Sequence, residues 1–453
     1  MKKMSLSLIS IVFLLTMVLS GCSSNSKKGA EATVKPSAEA TATAAPTKVK
    51  DANQDPFTIR LGAWFIDDRP FMKEMKANVE KKYKEKYPNA TIQWDILLGA
   101  TYFDKIKAEL ASATAPDVFF SQNVLGQFAE AGYLTDLSDQ PWAATLHPGA
   151  KIATAYKGKV YAAAVGLGGT GVWYNKKIFS DLGLTAPKSW NEFIQVLDKV
   201  KAANITPIGL GFKDLWTAQL FNQHMLQSVL YGADKQYPKM LYDGTKKING
   251  PEVESVLKRF QLMTEKGYFN KTALTIDWPQ SAELFTSGKS AMIVQGNWLP
   301  GVATDNFTKL GHAKFDIGYF PIPDDKGYVD LAVSAGESLS VNAKTKLPQQ
   351  SKDLIAIMLS KEILGPFSIG NGSIPPIKGM KVEYPSPALN EFLAVIASVS
   401  SSNPFYSYIS PSTDSALGGT VTKIVSGAKY SEADLKDAQS KMEKDKATVV
   451  LPE

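Results

Sequence analysis

From Phe57 onward the chain repeats one pattern: a short run of alternating apolar residues, then a longer amphipathic stretch. Phe57, Ile59 and Leu61 alternate with Thr58 and Arg60, the two-residue period of a half-buried strand. The stretch from Pro70 to Tyr87 carries Lys and Glu on one side and stops at Pro88, as a surface helix does. Ile92, Trp94 and Ile96 alternate again, Phe103 to Ala111 takes the helical period, and Val118-Phe119-Phe120 is a short apolar run after Ala115-Pro116-Asp117. Further on, Ser189 and Glu192 form a capping box before a helix with Trp190, Phe193, Leu197 and Val200 on one face. Ser431 and Asp434 open a late helix in the same way. Strands alternating with helices are the pattern of an α/β architecture with largely parallel sheets. The body, residues 57–453, is long enough for two or more domains, and no short-period repeat is visible.

The segment before that body reads differently. Lys2 and Lys3 precede an apolar stretch, Leu6 to Leu19, interrupted by Ser7, Ser10 and Thr16, and then Leu19-Ser20-Gly21-Cys22. This is the layout of a cleaved signal peptide over residues 1–21. The run is too short for a spanning helix, which needs ~20 apolar residues. Residues 19–22 resemble the bacterial lipobox, which implies cleavage before Cys22 and its diacylation. Two acyl chains hold where one holds only marginally. Cys22 is the one cysteine, so no internal disulfide and no cysteine metal cluster can form. Residues 22–56 continue as Ala, Thr, Ser, Pro and Lys with few large apolar side chains, a composition that forms a disordered tether.

The net charge is +6, and residues 1–56 supply about half of it, with seven Lys against four acids. The body is near balance, which gives no clustered basic face for nucleic acid. The three histidines, His147, His224 and His312, have no metal-ligand spacing, and neither Gly-x-Ser-x-Gly nor a P-loop occurs. No cofactor is expected. Gly166-Leu167-Gly168-Gly169-Thr170-Gly171 fits G-x-G-x-x-G, but strand-like Val172-Trp173-Tyr174-Asn175 follows where a dinucleotide site needs a helix. These glycines read instead as a flexible crossing between domains.

A series of motifs in fixed order carries a family resemblance. Ala115-Pro116-Asp117-Val118-Phe119-Phe120 comes first, then Gly132-Tyr133-Leu134-Thr135-Asp136-Leu137, Lys159-Val160-Tyr161-Ala162 and Trp173-Tyr174-Asn175-Lys176. Phe285 to Met292, Gly296-Asn297-Trp298, Phe320-Pro321-Ile322-Pro323, Gly336-Glu337-Ser338-Leu339 and Gly372-Ser373-Ile374-Pro375-Pro376 follow. Together they resemble the family 1 extracellular solute-binding proteins, the maltose-binding-protein-like branch of periplasmic-binding-protein folds. The resemblance implies a type II two-lobed α/β fold with a ligand cleft at the hinge. Its expected lobes are residues 57–165 plus 336–400, and 166–335 plus 401–453. It also implies a non-enzymatic monomer, held at the extracytoplasmic face by its lipid, that binds a carbohydrate and delivers it to the permease subunits of an ABC importer.

A pyranose offers a C–H face to an aromatic ring and hydroxyls to carboxylates and amides. Both types stand where the family places its cleft. Trp64, Asp67, Asp68 and Arg69 follow the first strand, and Gln122 and Asn123 follow Phe120. Tyr174 matches a second-lobe aromatic, and Trp216 lies in the apparent loop Lys213-Asp214-Leu215-Trp216. Asn297 and Trp298 match a stacking motif, and Glu337 stands past a second crossing. Several of these positions have plainer readings. Asp67, Asp68 and Arg69 suit a solvated loop with a local ion pair, and Trp173 could face the cleft in place of Tyr174. Trp190 and Trp94 read as core, Trp278 as packing at a helix start, and His224 as structural. The number of candidate aromatics favours an oligosaccharide. The alternatives are a peptide, phosphorylated polyol or polyamine on the same fold, an extracellular carbohydrate-active enzyme, or a sensor partner for a signalling kinase.

Overall fold

A computed structural model of the chain describes residues 55–99, 101–449 and 451. The signal segment, Cys22 and most of the tether lie outside these residues. Two sheets organise the rest. In the first, the order is Ala90–Ile96, Phe57–Ala63, Val118–Phe120, Ser338–Val341, Ala163–Ala164. The first three strands run parallel, with Phe57 opposite Ala90 and Leu61 opposite Val118. The helices Pro70–Lys86, Thr101–Ala111, Pro348–Met358 and Lys361–Asn371 accompany them. Met72, Met75, Val79 and Tyr83 recur along one face of the first helix and are buried, as its pattern requires. They join Ile59, Leu61, Phe119, Phe120, Leu339 and Val341 in one core.

The sheets are less parallel than strand–helix alternation suggests. Ser338–Val341 enters the first sheet antiparallel to Val118–Phe120, because the chain returns there from the second sheet. The second sheet runs Ile317–Phe320, Thr170–Asn175, Ser290–Gly296, Thr206–Gly209, and only its last pair is parallel. Both its faces are covered. Val172, Met292, Val294 and Phe320 face a core built with Trp190–Ala202, Leu215–Ala233, Pro251–Glu265 and Pro411–Val425. Trp173, Ile293 and Tyr319 face the other way, onto Trp278–Thr286, Leu299–Lys309 and Pro387–Ser398. Every residue of Ser290–Gly296 is buried, as befits a central strand between two covered faces.

Pro387–Ser398 departs from the expected first-lobe range. Ala388, Leu389 and Phe392 pack with Trp173 and Tyr319 of the second sheet. The Glu391 carboxylate accepts the Tyr319 N–H at 3.0 Å and pairs with Lys176 at 2.6 Å. The chain leaves the first lobe after residues 376–378, which still bond to Thr145 and His147 there.

Three chain passes join the two sheets side by side. Leu167–Gly168 pairs antiparallel with Ser334–Ala335, and Leu167 and Ile374 exchange backbone hydrogen bonds, both at 2.8 Å. The glycines of the first pass serve close approach rather than flexibility. A Cβ on Gly166 would lie 2.8 Å from the Ser373 side chain, and one on Gly168 would lie 2.0 Å from Asn297 Oδ1.

Candidate functional site

The first lobe contributes the end of its central strand. Trp64 follows Ala63, half-exposed, its ring 5.3 Å from Phe65 and 6.0 Å from Phe103. Its indole N–H has no hydrogen-bond partner. Arg69 precedes the helix that Pro70 opens. The Arg69 Nε–H donates to both Asp67 oxygens at 2.8 and 2.9 Å, and the guanidinium lies 4.8 Å from the Phe71 ring centre. Asp68 points into solvent and meets the exposed Lys73 at 3.4 Å, a pair that contributes little. Gln122 begins a 3₁₀ turn after Phe120 at φ 41°, partly buried, and the Asn123 side chain lies outside the described ones.

Glu337 sits where the second pass enters the first sheet. A Cβ on Gly166 would lie 3.8 Å from its Oε2, and the Asn371 side chain lies close enough to favour its charged form. Burial pushes the carboxyl up to about 7, against the opposing pull of Asn371 and of positive Arg69.

The second lobe contributes three indoles. Trp216 is 6.0 Å from Trp278 at 67° and 6.3 Å from Trp298 at 59°. Trp216 lies in the first turn of Leu215–Ala233 rather than in a loop, because Asp214 takes the N-cap position. Trp278 starts a helix behind the capping box of Asp277 and Gln280, so its packing role holds, but its partner is another candidate. The Trp298 ring covers Gly296, where a Cβ would lie 2.1 Å from it. All three rings are partly exposed.

One helical turn and two turns beyond Trp216 lie Gln219 and Gln223, and both amides donate to Asp414 Oδ2, at 2.6 and 2.9 Å. Asp414 Oδ1 has no partner, and burial pushes this carboxyl up to about 6. Tyr406, close enough to feel the Asp414 charge, hydrogen-bonds Ser334 of the second pass at 3.0 Å. The polar edge of the Trp216 helix therefore reaches the crossing strands.

Two expected contacts belong to packing. Tyr174 stacks on Phe179 at 4.2 Å and Phe320 at 5.5 Å, with its ring over Gly318. Its neighbour Trp173 is fully buried on the opposite face, so neither ring is delivered to the three indoles. Asn297 is 2% exposed, and both ends of its amide bond backbone. Trp190 is core, Trp94 is half-buried and bonds Glu80, and His224 is buried and bonded.

The remaining candidates converge. Asn371 lies beside Glu337, and the next residue, Gly372, accepts from Asn297, the neighbour of Trp298. A single turn of chain thus separates the Arg69–Glu337 edge of one lobe from the indoles of the other. Trp278, Gln219, Gln223, Asp414 and Tyr406 were not singled out from sequence as ligand contacts. Only the glutamines left a signal there, three and seven residues beyond Trp216 on one helical face. No group of His, Cys, Asp and Glu among the described residues could hold a metal ion, and no described helix is long and apolar enough to cross a membrane.

The family model described as bacterial extracellular solute-binding protein matches residues 67–363. The multiple sugar-binding protein of Streptococcus mutans is 26% identical over 70% of this chain and 76% of its own. The diacetylchitobiose binding protein DasA of Streptomyces coelicolor is 26% identical over 76% of this chain and 79% of its own. Among solved structures, a chitin oligosaccharide binding protein superposes with a TM-score of 0.77 at 24% identity, covering 87% of this chain and all of that one. The solute-binding protein RafE in complex with raffinose superposes at 0.73 and 20%, covering 86% of this chain and all of that one.

Proposed function

We propose, since this chain belongs to the bacterial extracellular solute-binding protein family, that it is a receptor capturing an oligosaccharide between its lobes and passing it to an ABC importer. Members of such a family bind and release; the chain is a binding protein and not an enzyme. The observation that carries the sugar reading is the juxtaposition of three partly exposed indoles with a carboxylate, a guanidinium and amides across one turn of chain. Indole faces cover the apolar faces of sugar rings, and Glu337, Arg69, Asp414 and the glutamines take hydroxyls. Trp64, Asp67 and Gln122 extend the first-lobe side. Three rings offer more apolar surface than one sugar covers, which favours an oligosaccharide. The sugar-binding relatives point the same way.

Binding both lobes at once favours the closed form only to the extent that the ligand prefers it, and that preference is the signal an importer can read. Micromolar affinity corresponds to about −8 kcal/mol, within reach of a few stacked rings and hydrogen bonds. Attachment through a diacylated Cys22, supported by Leu19-Ser20-Gly21-Cys22, would keep the receptor beside its permease at high local concentration. A Cys22→Ala chain should bind sugar normally but be shed or left unprocessed. Calorimetry against diacetylchitobiose, raffinose, stachyose, maltotriose and their monosaccharides tests the main reading. Saturable binding that is tighter for an oligosaccharide supports it; tighter binding of a monosaccharide overturns the chain-length part. No binding to any sugar overturns the whole.

A further inference from the structure

We propose that Asn297 is a positioning residue whose buried amide staples two of the three inter-lobe passes together and so limits how far the lobes swing apart. Three bonds carry the idea. Asn297 Oδ1 accepts the Gly169 N–H at 3.1 Å, its Nδ2 donates to the Gly372 carbonyl at 2.9 Å, and its backbone N–H donates to the Gly169 carbonyl at 3.2 Å. Gly169 belongs to the first pass and Gly372 to the third, and Leu167 already exchanges backbone bonds with Ile374 between them. The staple stands at the end of the second sheet's central strand, one residue before Trp298.

The fit leaves little choice of side chain. A Cβ on Gly168 would lie 2.0 Å from Oδ1, and one on Gly372, at φ +67°, would lie 2.2 Å from the Asn297 carbonyl. The group must be short and planar, with one acceptor and one donor end. Asp lacks the donor and Gln is a methylene too long. Lobe closure requires torsion changes within the passes. Passes bonded through a common amide can change only together, so the staple narrows the range of lobe angles in the sugar-free protein. It also couples a ligand that moves Trp298 directly to the hinge.

The proposal rests on the two-lobed receptor reading only for that coupling; the restriction itself is measured without sugar. Spin labels at Lys107→Cys and Lys239→Cys, both exposed and on opposite lobes, in a Cys22→Ala background give the inter-lobe distance distribution of the full chain. Asn297→Ala should broaden the sugar-free distribution and move it to longer distances. Asn297→Asp, nearly isosteric, keeps the Gly169 acceptor but sets an oxygen against the Gly372 carbonyl, so it should do the same. An unchanged distribution, even with a lowered Tm, overturns the proposal, because a merely local structural role gives that result. Failure of both variants to fold also overturns it. If the unmodified chain shows no narrowing with any sugar of the panel, the receptor reading fails while the staple is still judged on the sugar-free data.

Discussion

The Asp214 carboxylate accepts the backbone N–H of Trp278 at 2.9 Å, although Asp214 occupies the N-cap position of a different helix, Leu215–Ala233. One side chain thereby ties the starts of two helices, and each start carries an indole of the candidate site. Asp214→Ala should release the Trp278 end and weaken sugar binding about tenfold with no sugar contact removed, at a cost of about 1 kcal/mol in stability. Calorimetry beside thermal unfolding separates the two effects. Wild-type affinity in the variant would show that the tie is irrelevant to the site.

Trp216 and Trp298 pack against each other, tilted at 59° with their centres 6.3 Å apart, rather than standing alone. Removing either should therefore disturb the other, and the two losses should not add. Trp298→Ala and Trp216→Ala are each expected to lose about 2 kcal/mol or more of binding, the usual size for a central aromatic anchor. The double variant should lose less than the sum. Additive losses would mean that the rings contact the ligand independently.

How far the sequence reveals this molecule can be seen residue by residue. Phe57, Ile59 and Leu61 announce their strand because one face of the sheet differs from the other. Trp173 and Tyr174 mislead because both faces of the second sheet are buried, so alternation there does not distinguish cleft from core. Asn297 stands in a motif that points at ligand, yet its amide is consumed by Gly169 and Gly372, 128 and 75 residues away. Asp414 gave no sign at all, since its glutamine partners lie 195 and 191 residues earlier. Local periodicity is written in neighbouring residues. The use of a polar group is settled by chain segments that only the fold brings together.

His224 predicts an acid-sensitive fold. The Ile322 N–H donates to its Nε2 at 2.9 Å, which places the ring hydrogen on Nδ1, 3.4 Å from the Thr170 hydroxyl. Burial holds its pKa down to about 4. The unfolded chain, with an ordinary histidine near 6.5, binds the extra proton first, so stability falls as pH drops from about 6.5 toward 4. The loss from this group between pH 7 and pH 5 should be on the order of 2 kcal/mol. In His224→Gln, whose side-chain oxygen can still accept from Ile322, the Tm should fall less over that range. An equal fall in both proteins would assign the acid sensitivity elsewhere.

Glu337 works in the opposite sense. Its carboxyl is pushed up to about 7 by burial, so between the ordinary carboxylate value and 7 the folded state holds a proton that the unfolded state has lost. Its charge therefore destabilises the fold increasingly as pH rises through that window, and fully above it. Glu337→Gln should be more stable than wild type at pH 8, by on the order of 1–3 kcal/mol, and no more stable at pH 4. Binding should run the other way. A sugar hydroxyl donates more strongly to a carboxylate than to a neutral carboxyl, so wild-type affinity should rise as pH climbs from 5.5 to 8.5. Glu337→Gln should bind more weakly at pH 8 and show a flat profile. A stability cost recovered only where affinity is lost is the mark of a charge kept for ligand. A wild-type affinity independent of pH, or a glutamine variant that follows the wild-type profile, would remove Glu337 from the sugar contacts and leave it a hinge residue.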